Sequence, residues 1–184
     1  MEATAVSFET EPPDANEMHR RVAETLMAYP WLVLECDSEV VGFAYASRHR
    51  TRAAYRWSVD TSAYVDERFR RQGIGHGLYV SLFAILSAQG FANAYAGIAL
   101  PNPASVALHE HVGFKAIGVF QSVGYKLGAW RDVGWWHRPL RSNDRPPPPE
   151  IQSLEEVKKN ATWPALLTKG STVVHVAKPL AAEA

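Results

Sequence analysis

Arg70-Arg71-Gln72-Gly73-Ile74-Gly75 stands between an alternating run, Ser58 to Val65, and an amphipathic one, Gly73 to Gln89. That order reads as strand, basic glycine loop, helix. A helix leaves its first four N–H groups without internal partners and carries partial positive charge at the same end. Two glycines remove the Cβ atoms that would hold an anion off the backbone, so the loop reads as a pyrophosphate cradle. Spacing alone equally allows an ordinary tight strand-to-helix turn. Downstream, Ile74, Leu78, Leu82 and Leu86 recur every fourth residue, Phe83 and Ile85 broaden the stripe, and Gly90 closes the helix.

The 184 residues suffice for one domain with a core, plus tails. Lys and Arg together number 19, as do Asp and Glu, so no overall field draws the chain to nucleic acid or to an anionic membrane. Its apolar runs are too short to span a bilayer, and no basic-then-apolar leader follows Met1. A cytoplasmic protein is the expectation. Cys36, the one cysteine, excludes an intrachain disulfide and argues against a thiolate metal cage; it reads as a small core residue, and no metal site is expected.

Elsewhere, Asp14 is placed to cap a helix reaching about Tyr29, and Trp31 to Cys36 and Val40 to Ala46 form a hairpin across Asp37-Ser38-Glu39. Ser47 to Arg56 carries Arg48, His49, Arg50, Arg52 and Arg56, a run that ordinarily means a solvated loop. Trp57 to Val65, Ala92 to Leu100, Phe114 to Gly124 and Val133 to Arg138 are further strands, and Pro103 to Val112 is a short helix. The pattern predicts a mixed α/β (α+β) fold and not a doubly wound one. After residue 140 come a proline run, Pro146 to Pro149, weak helical character over Ile151 to Asn160, and a strand candidate, Thr172 to Val176.

No Gly-Lys-Ser/Thr closes the glycine loop, and Gly73, Gly75 and Gly77 miss the dinucleotide spacing. The Arg/Gln-x-x-Gly-x-Gly pattern instead resembles the coenzyme A loop of the GNAT N-acetyltransferases. Tyr29-Pro30-Trp31-Leu32-Val33, Trp57 to Val65, Leu100-Pro101-Asn102-Pro103-Ala104-Ser105, Leu108 to Phe114 and Val123 to Gly134 are similar to one subfamily. That subfamily is the phosphinothricin N-acetyltransferases, which also acetylate methionine sulfone and sulfoximine. The resemblance runs from about Val6 to Leu140 and implies a GNAT fold: a mixed, mostly antiparallel twisted sheet flanked by helices. Residues 1–140 are then the acetyltransferase domain, and 141–184 a proline-rich linker and extension.

By that resemblance, acetyl-CoA is the cosubstrate and a small acidic amino acid the acceptor, by direct transfer, in a homodimer. Arg70, Arg71, Gln72, Gly73, Ile74 and Gly75 would cradle the diphosphate, Asn102 and Ser105 would meet the pantetheine arm, and the backbone at Val65 would polarise the thioester carbonyl. Asp60 stands where the subfamily carries a Glu base, one methylene shorter, so a relay is implied. His109 would protonate the leaving thiolate or hold a water. Arg50 and Arg52 match a cationic pair for the acceptor's acidic groups, and Phe8, Tyr55 and Tyr64 match its pocket walls. Trp135 and Trp136 look like sheet core and interface.

The resemblance also implies departures. The family's first strand and most of its first helix have no counterpart here, which leaves Trp31 to Cys36 as an uncovered edge. A displaced start, loss of competence or a replacement segment would each account for it; the third reading pairs Thr172 to Val176 along that edge. Two other functions stay open: a CoA-binding remnant without turnover, and an acetyltransferase for a different amine.

Overall fold

In the computed structural model, which describes residues 4–142 and 148–175, six strands form one sheet. They are β1 (Trp31–Cys36), β2 (Glu39–Arg48), β3 (Ser58–Val65), β4 (Asn93–Ala99), β5 (Lys115–Lys126) and β6 (Ala129–Pro139), in spatial order β1-β2-β3-β4-β6-β5. The helices are α1 (Ala15–Leu26), α2 (Ile74–Gln89), α3 (Pro103–His111), α4 (Leu154–Lys158) and α5 (Trp163–Thr168). Local chemistry sets several boundaries. Asp14 accepts the Glu17 N–H at 2.8 Å and caps α1. Asp37 and Ser38 both take positive φ, the demand of a tight hairpin turn. No helix among the described residues is long and apolar enough to cross a membrane.

Every strand pair is antiparallel except β3 with β4, which run parallel for only three rungs: Ser58 with Asn93, Val59 with Ala94, and Asp60 with Tyr95. Beyond them β3 stays with β2 to Val65, β4 stays with β6 to Ala99, and a wedge opens between the two. Strand alternation then sorts the two faces. Val59 of β3, Val41, Ala44 and Ala46 of β2 and Ala94 and Ala96 of β4 are buried with Ile74, Leu78, Leu82, Ile85 and Leu86 of α2. The other face is aromatic: Trp31 stacks on Tyr45 at 4.2 Å, and Phe43 on Tyr64 at 5.0 Å.

The expected strands extend further than their sequence suggests. Leu127 and Gly128 take positive φ as the two-residue turn of a hairpin, so β5 runs to Lys126 and β6 begins at Ala129. The larger correction concerns the C-terminal segment. Thr172 to Val176 does not pair with β1, whose only strand partner among the described residues is β2; Val176, Pro146 and Pro147 lie outside those residues. Residues Lys169–Val173 form a 3-10 turn against α2 instead. Gly170 donates its N–H to Ser81 Oγ at 2.9 Å, and His175 donates its N–H to the Gln72 carbonyl at 2.9 Å.

These contacts depend on two glycines meeting: a Cβ on Gly77 would come within 2.7 Å of the Gly170 carbonyl. Upstream, Gln152 donates its N–H to the Gln89 carbonyl, and Ser153 with Glu156 forms a reciprocal cap on α4. Leu154 and Val157 are fully buried, and Leu154 joins the core under the sheet. Leu154→Ala is therefore expected to destabilise the protein by about 3 kcal/mol, read as a lowered urea midpoint, whereas Leu167→Ala, at an exposed position, leaves that midpoint nearly unchanged.

Candidate active site

The glycine loop follows β3 through a 3-10 turn, Glu67–Phe69, which Asp66 caps by accepting the Arg68 N–H at 2.9 Å and which the buried Phe69 anchors. Arg71 (φ 62°) and Gly73 (φ 75°) are both left-handed, which swings the chain into α2. The first helical bond joins Gly77 N–H to the Gly73 carbonyl at 2.8 Å, so the N–H groups of Ile74, Gly75 and His76 precede the intrahelical ladder. Gly73 and Gly77 face the C-terminal segment; a Cβ on Gly73 would strike the Val173 carbonyl. Gly75 faces the opposite way, where a Cβ would lie 2.8 Å from Leu108 of α3 and 3.6 Å from Val65. One side of the turn is braced by the tail. The other packs on Val65 and Leu108, the N–H groups of the first helical turn stay outside the ladder, and Arg70 and Arg71 stand exposed beside it. This donor set fits a diphosphate.

Asp60 occupies the last rung before β3 and β4 part. Burial raises its carboxyl pKa above the ordinary value, opposed by a hydrogen bond from His49 and by the charges of His49 and Arg50. The His49 contact is close, Nδ1 to Oδ1 at 2.7 Å. The His49 ring is itself held on three sides: stacked on Tyr95 at 4.3 Å, and edge-on to Tyr55 at 6.0 Å and Trp135 at 6.3 Å. Sequence reading placed His49 in a solvated basic run and missed it. The available signal was its position directly before Arg50 and Arg52 in a chain with Asp60 where the resemblance implies a longer Glu.

His109 departs from its expected part. The ring is 4% exposed, with Nε2 2.8 Å from the Tyr79 hydroxyl and Nδ1 2.7 Å from the Ser105 carbonyl. A carbonyl can only accept, so Nδ1 carries the proton and Nε2 accepts from the tyrosine. Burial lowers its pKa, which favours this neutral form. The imidazole thus spends its one proton on α3's own backbone and ties α3 to α2. Asn102 caps α3 by accepting the Ser105 N–H at 3.1 Å, and the Ser105 hydroxyl lies 3.3 Å from His109 Nδ1. Both act in the helix itself, and Asn102 stands at its mouth on the wedge side of β4.

The expected acceptor groups gather on the aromatic face in two sets. Arg50 donates to the His49 carbonyl at 2.8 Å and lies over the Trp135 ring at 5.6 Å, which brings Trp135 into the site and leaves Trp136 to the core. Arg52 opens the 3-10 turn Ala53–Tyr55 with an exposed side chain, and Tyr55 reaches back to His49. Tyr64 stacks on Phe43, and burial raises its hydroxyl to a pKa of about 12. Phe8 lies apart from Asp60, against Gly124 of β5, where Lys126 fastens the strand end by donating to the Ser7 and Glu9 carbonyls at 2.7 Å each.

The acetyltransferase (GNAT) domain family matches residues 1–135 of this chain. The phosphinothricin N-acetyltransferase of Streptomyces viridochromogenes is 42% identical over 149 residues, covering 81% of this chain and 80% of that protein. The L-methionine sulfoximine/L-methionine sulfone acetyltransferase of Pseudomonas paraeruginosa is 34% identical, covering 71% and 76%. Among solved structures, a GNAT superfamily phosphinothricin acetyltransferase from Sinorhizobium meliloti in complex with AcCoA superimposes with a TM-score of 0.74 at 36% identity, covering 79% of this chain and 80% of that one.

The raised Asp60 pKa has a thermodynamic sign. The folded state binds this proton more tightly than the unfolded chain, so stability falls as pH rises through the carboxyl's folded pKa. Asp60→Asn is expected to raise the melting temperature at neutral pH. Calorimetry should show that gain vanish at acid pH, where the wild-type carboxyl is protonated.

Proposed function

The chain belongs to the GNAT N-acetyltransferases, and from that premise we propose that it acetylates the α-amine of a small acidic amino acid analogue of the phosphinothricin, methionine sulfone or methionine sulfoximine kind. The observation that carries this reading is an anion cradle and a half-buried carboxylate set at two places along one wedge between parting strands. Acetyl-CoA, the cosubstrate, supplies the acetyl group as a thioester with sulfur as the leaving atom. The N–H groups at Ile74 and Gly75, with Arg70 and Arg71, hold its diphosphate; Asn102 and Ser105 border its arm. The main chain at Val65, past the point where β3 leaves β4, polarises the carbonyl.

An α-ammonium must lose a proton before its nitrogen can attack, and the Asp60 centre receives it. Arg50 sits next to that centre and Arg52 two residues on, so a guanidinium pair can take the acceptor's carboxylate, phosphinate or sulfone oxygens while the amine turns toward Asp60. Tyr55, Tyr64, Trp135 and Tyr95 wall the space. We further infer a cytoplasmic homodimer. β5 is a sheet edge, and Val119, Phe120, Val123, Tyr125 and Trp130 of the β5–β6 hairpin are each at least half exposed. Light scattering on the purified chain reads that association.

A thiol-release assay with acetyl-CoA and a panel of these three acceptors tests the function; silence with all of them overturns the acceptor class. Arg50→Glu should raise the acceptor KM more than tenfold, since a charge-assisted contact is worth about 1.5–3 kcal/mol. Gly75→Asp should instead weaken acetyl-CoA binding by about tenfold or more in calorimetry, because it sets a carboxylate beside the cradle and a Cβ that must displace Leu108 of α3. Unchanged affinity in that variant removes the cradle from the account.

A further inference from the structure

We propose that the group which takes the acceptor's proton is His49, with Asp60 as the carboxylate that orients it. The inference rests on the acetyltransferase reading above and assigns its base. Asp60 is short and half-sunk, with a side chain 28% exposed, and its Oδ1 is already engaged by His49 Nδ1 at 2.7 Å. A carboxylate oxygen only accepts, so Nδ1 carries the hydrogen and Nε2 is left with a lone pair. That is the arrangement of a general base with its orienting acid group. Nε2 has no protein partner among the described residues, and it is not one of the sealed, unpartnered buried atoms; the His49 side chain is 11% exposed.

The ring's surroundings fit a group that must stay put while gaining charge. Tyr95 stacks on one face; Tyr55 and Trp135 close on the edges. The ionisable neighbours are Asp60 on β3, the Tyr95 and Tyr55 hydroxyls, the Arg50 guanidinium, and His137, 4.9 Å behind Tyr95. Among the described residues Asp60 is the carboxylate neighbour, and it touches the ring directly. It holds the ring in place, and Arg50 brings the acceptor's acid group to the same spot. The imidazole also carries the basic atom beyond Asp60 by a hydrogen bond and the width of the ring. This supplies the reach that the missing methylene removes.

The bookkeeping of bonds is simple. His49 Nε2 accepts one proton from the α-ammonium and passes it to solvent. The freed nitrogen lone pair forms the N–C bond as the C–S bond breaks, the electron pair stays on sulfur, and sulfur takes one of the two remaining amine protons while the other stays on the amide nitrogen. Asp60 remains ionised throughout.

Two measurements on the full chain test the assignment. Imidazole 15N NMR of the wild-type protein should show neutral His49 as the Nδ1–H tautomer; an Nε2–H tautomer overturns the proposal without any turnover being needed. In the pH dependence of kcat/KM, the acid limb should carry the same apparent pKa as the His49 ring followed by NMR. His49→Phe, which keeps an aromatic between Tyr95 and Trp135, should lose about 100-fold or more and abolish that limb. Asp60→Asn should lose a comparable factor, and the double variant no more than the worse single one, as for residues that act as a unit. If wild type turns over and His49→Phe keeps activity within about threefold with its acid limb intact, Asp60 is the base and this inference fails. Silence of the wild type with every acceptor is a different result and counts against the acceptor class.

Discussion

Three rungs of parallel pairing between β3 and β4, and then none, govern the rest of this molecule. A main-chain N–H or C=O facing a strand that has moved away still needs a partner, and burying it unpaired costs on the order of 1–3 kcal/mol. Thr61 meets part of the demand by donating its hydroxyl to the Tyr95 carbonyl at 3.3 Å, just past the last rung. Further out, the facing edges of the two strands have no neighbouring strand among the described residues. An extended ligand with alternating donors and acceptors suits such a gap, and a pantetheine chain has that character. The wedge is thus the place where sheet pairing has been exchanged for binding.

The same parting divides the electrostatics. At the wide end, bare N–H groups of α2 and two arginines present positive charge. At the closed end, Asp60 is kept in a partly dry aromatic setting that raises its pKa, while His49 and Arg50 oppose the rise. Partly burying a carboxylate there weakens the fold, a cost typical of groups that serve chemistry. His109 shows the contrary case. It is equally titratable and more deeply buried, yet its nitrogens are consumed by Tyr79 and Ser105, so its work is to lock α2 against α3. A histidine's chemistry follows from which of its nitrogens is left over.

Much of this was legible in the residues. Fourfold spacing of Ile74, Leu78, Leu82 and Leu86 marks α2, the Asp14 cap and the Gly90 stop mark helix ends, and the glycine loop marks the cradle. What the sequence could not apportion is which glycine serves what. Gly73 and Gly77 admit the tail and Gly75 lets α2 close on Leu108 and Val65, because residues two apart on a helix point to opposite sides. The tail's position was missed for a related reason. Thr172 to Val174 has β-branched residues suited to a strand, but Gly170 lets its backbone meet Gly77, and that close approach is decided by tertiary packing. His49 was hidden by its neighbours: in a run of arginines, charge patterning reads solvent exposure for all alike.

The tail and the histidine answer the same kind of question about what a departure from the family pattern requires. Once Asp replaces the longer Glu implied by the resemblance, a base at the old position is drawn back toward the sheet by about 1.5 Å, one C–C bond. Either the acceptor must approach more deeply, or another group must span the difference. Deeper approach is blocked on this face, since Tyr95, Tyr55 and Trp135 already close around the ring that sits on Asp60. The spanning group is therefore the one already hydrogen-bonded there. The first turn of α2 obeys the same logic from the opposite side: with a carbonyl of residue 173 pressed on Gly73, the loop cannot relax toward the tail. Both ends of the site are held by contacts the glycine motif does not encode. The spacing between cradle and base is thus a property of the packed domain and not of the loop alone.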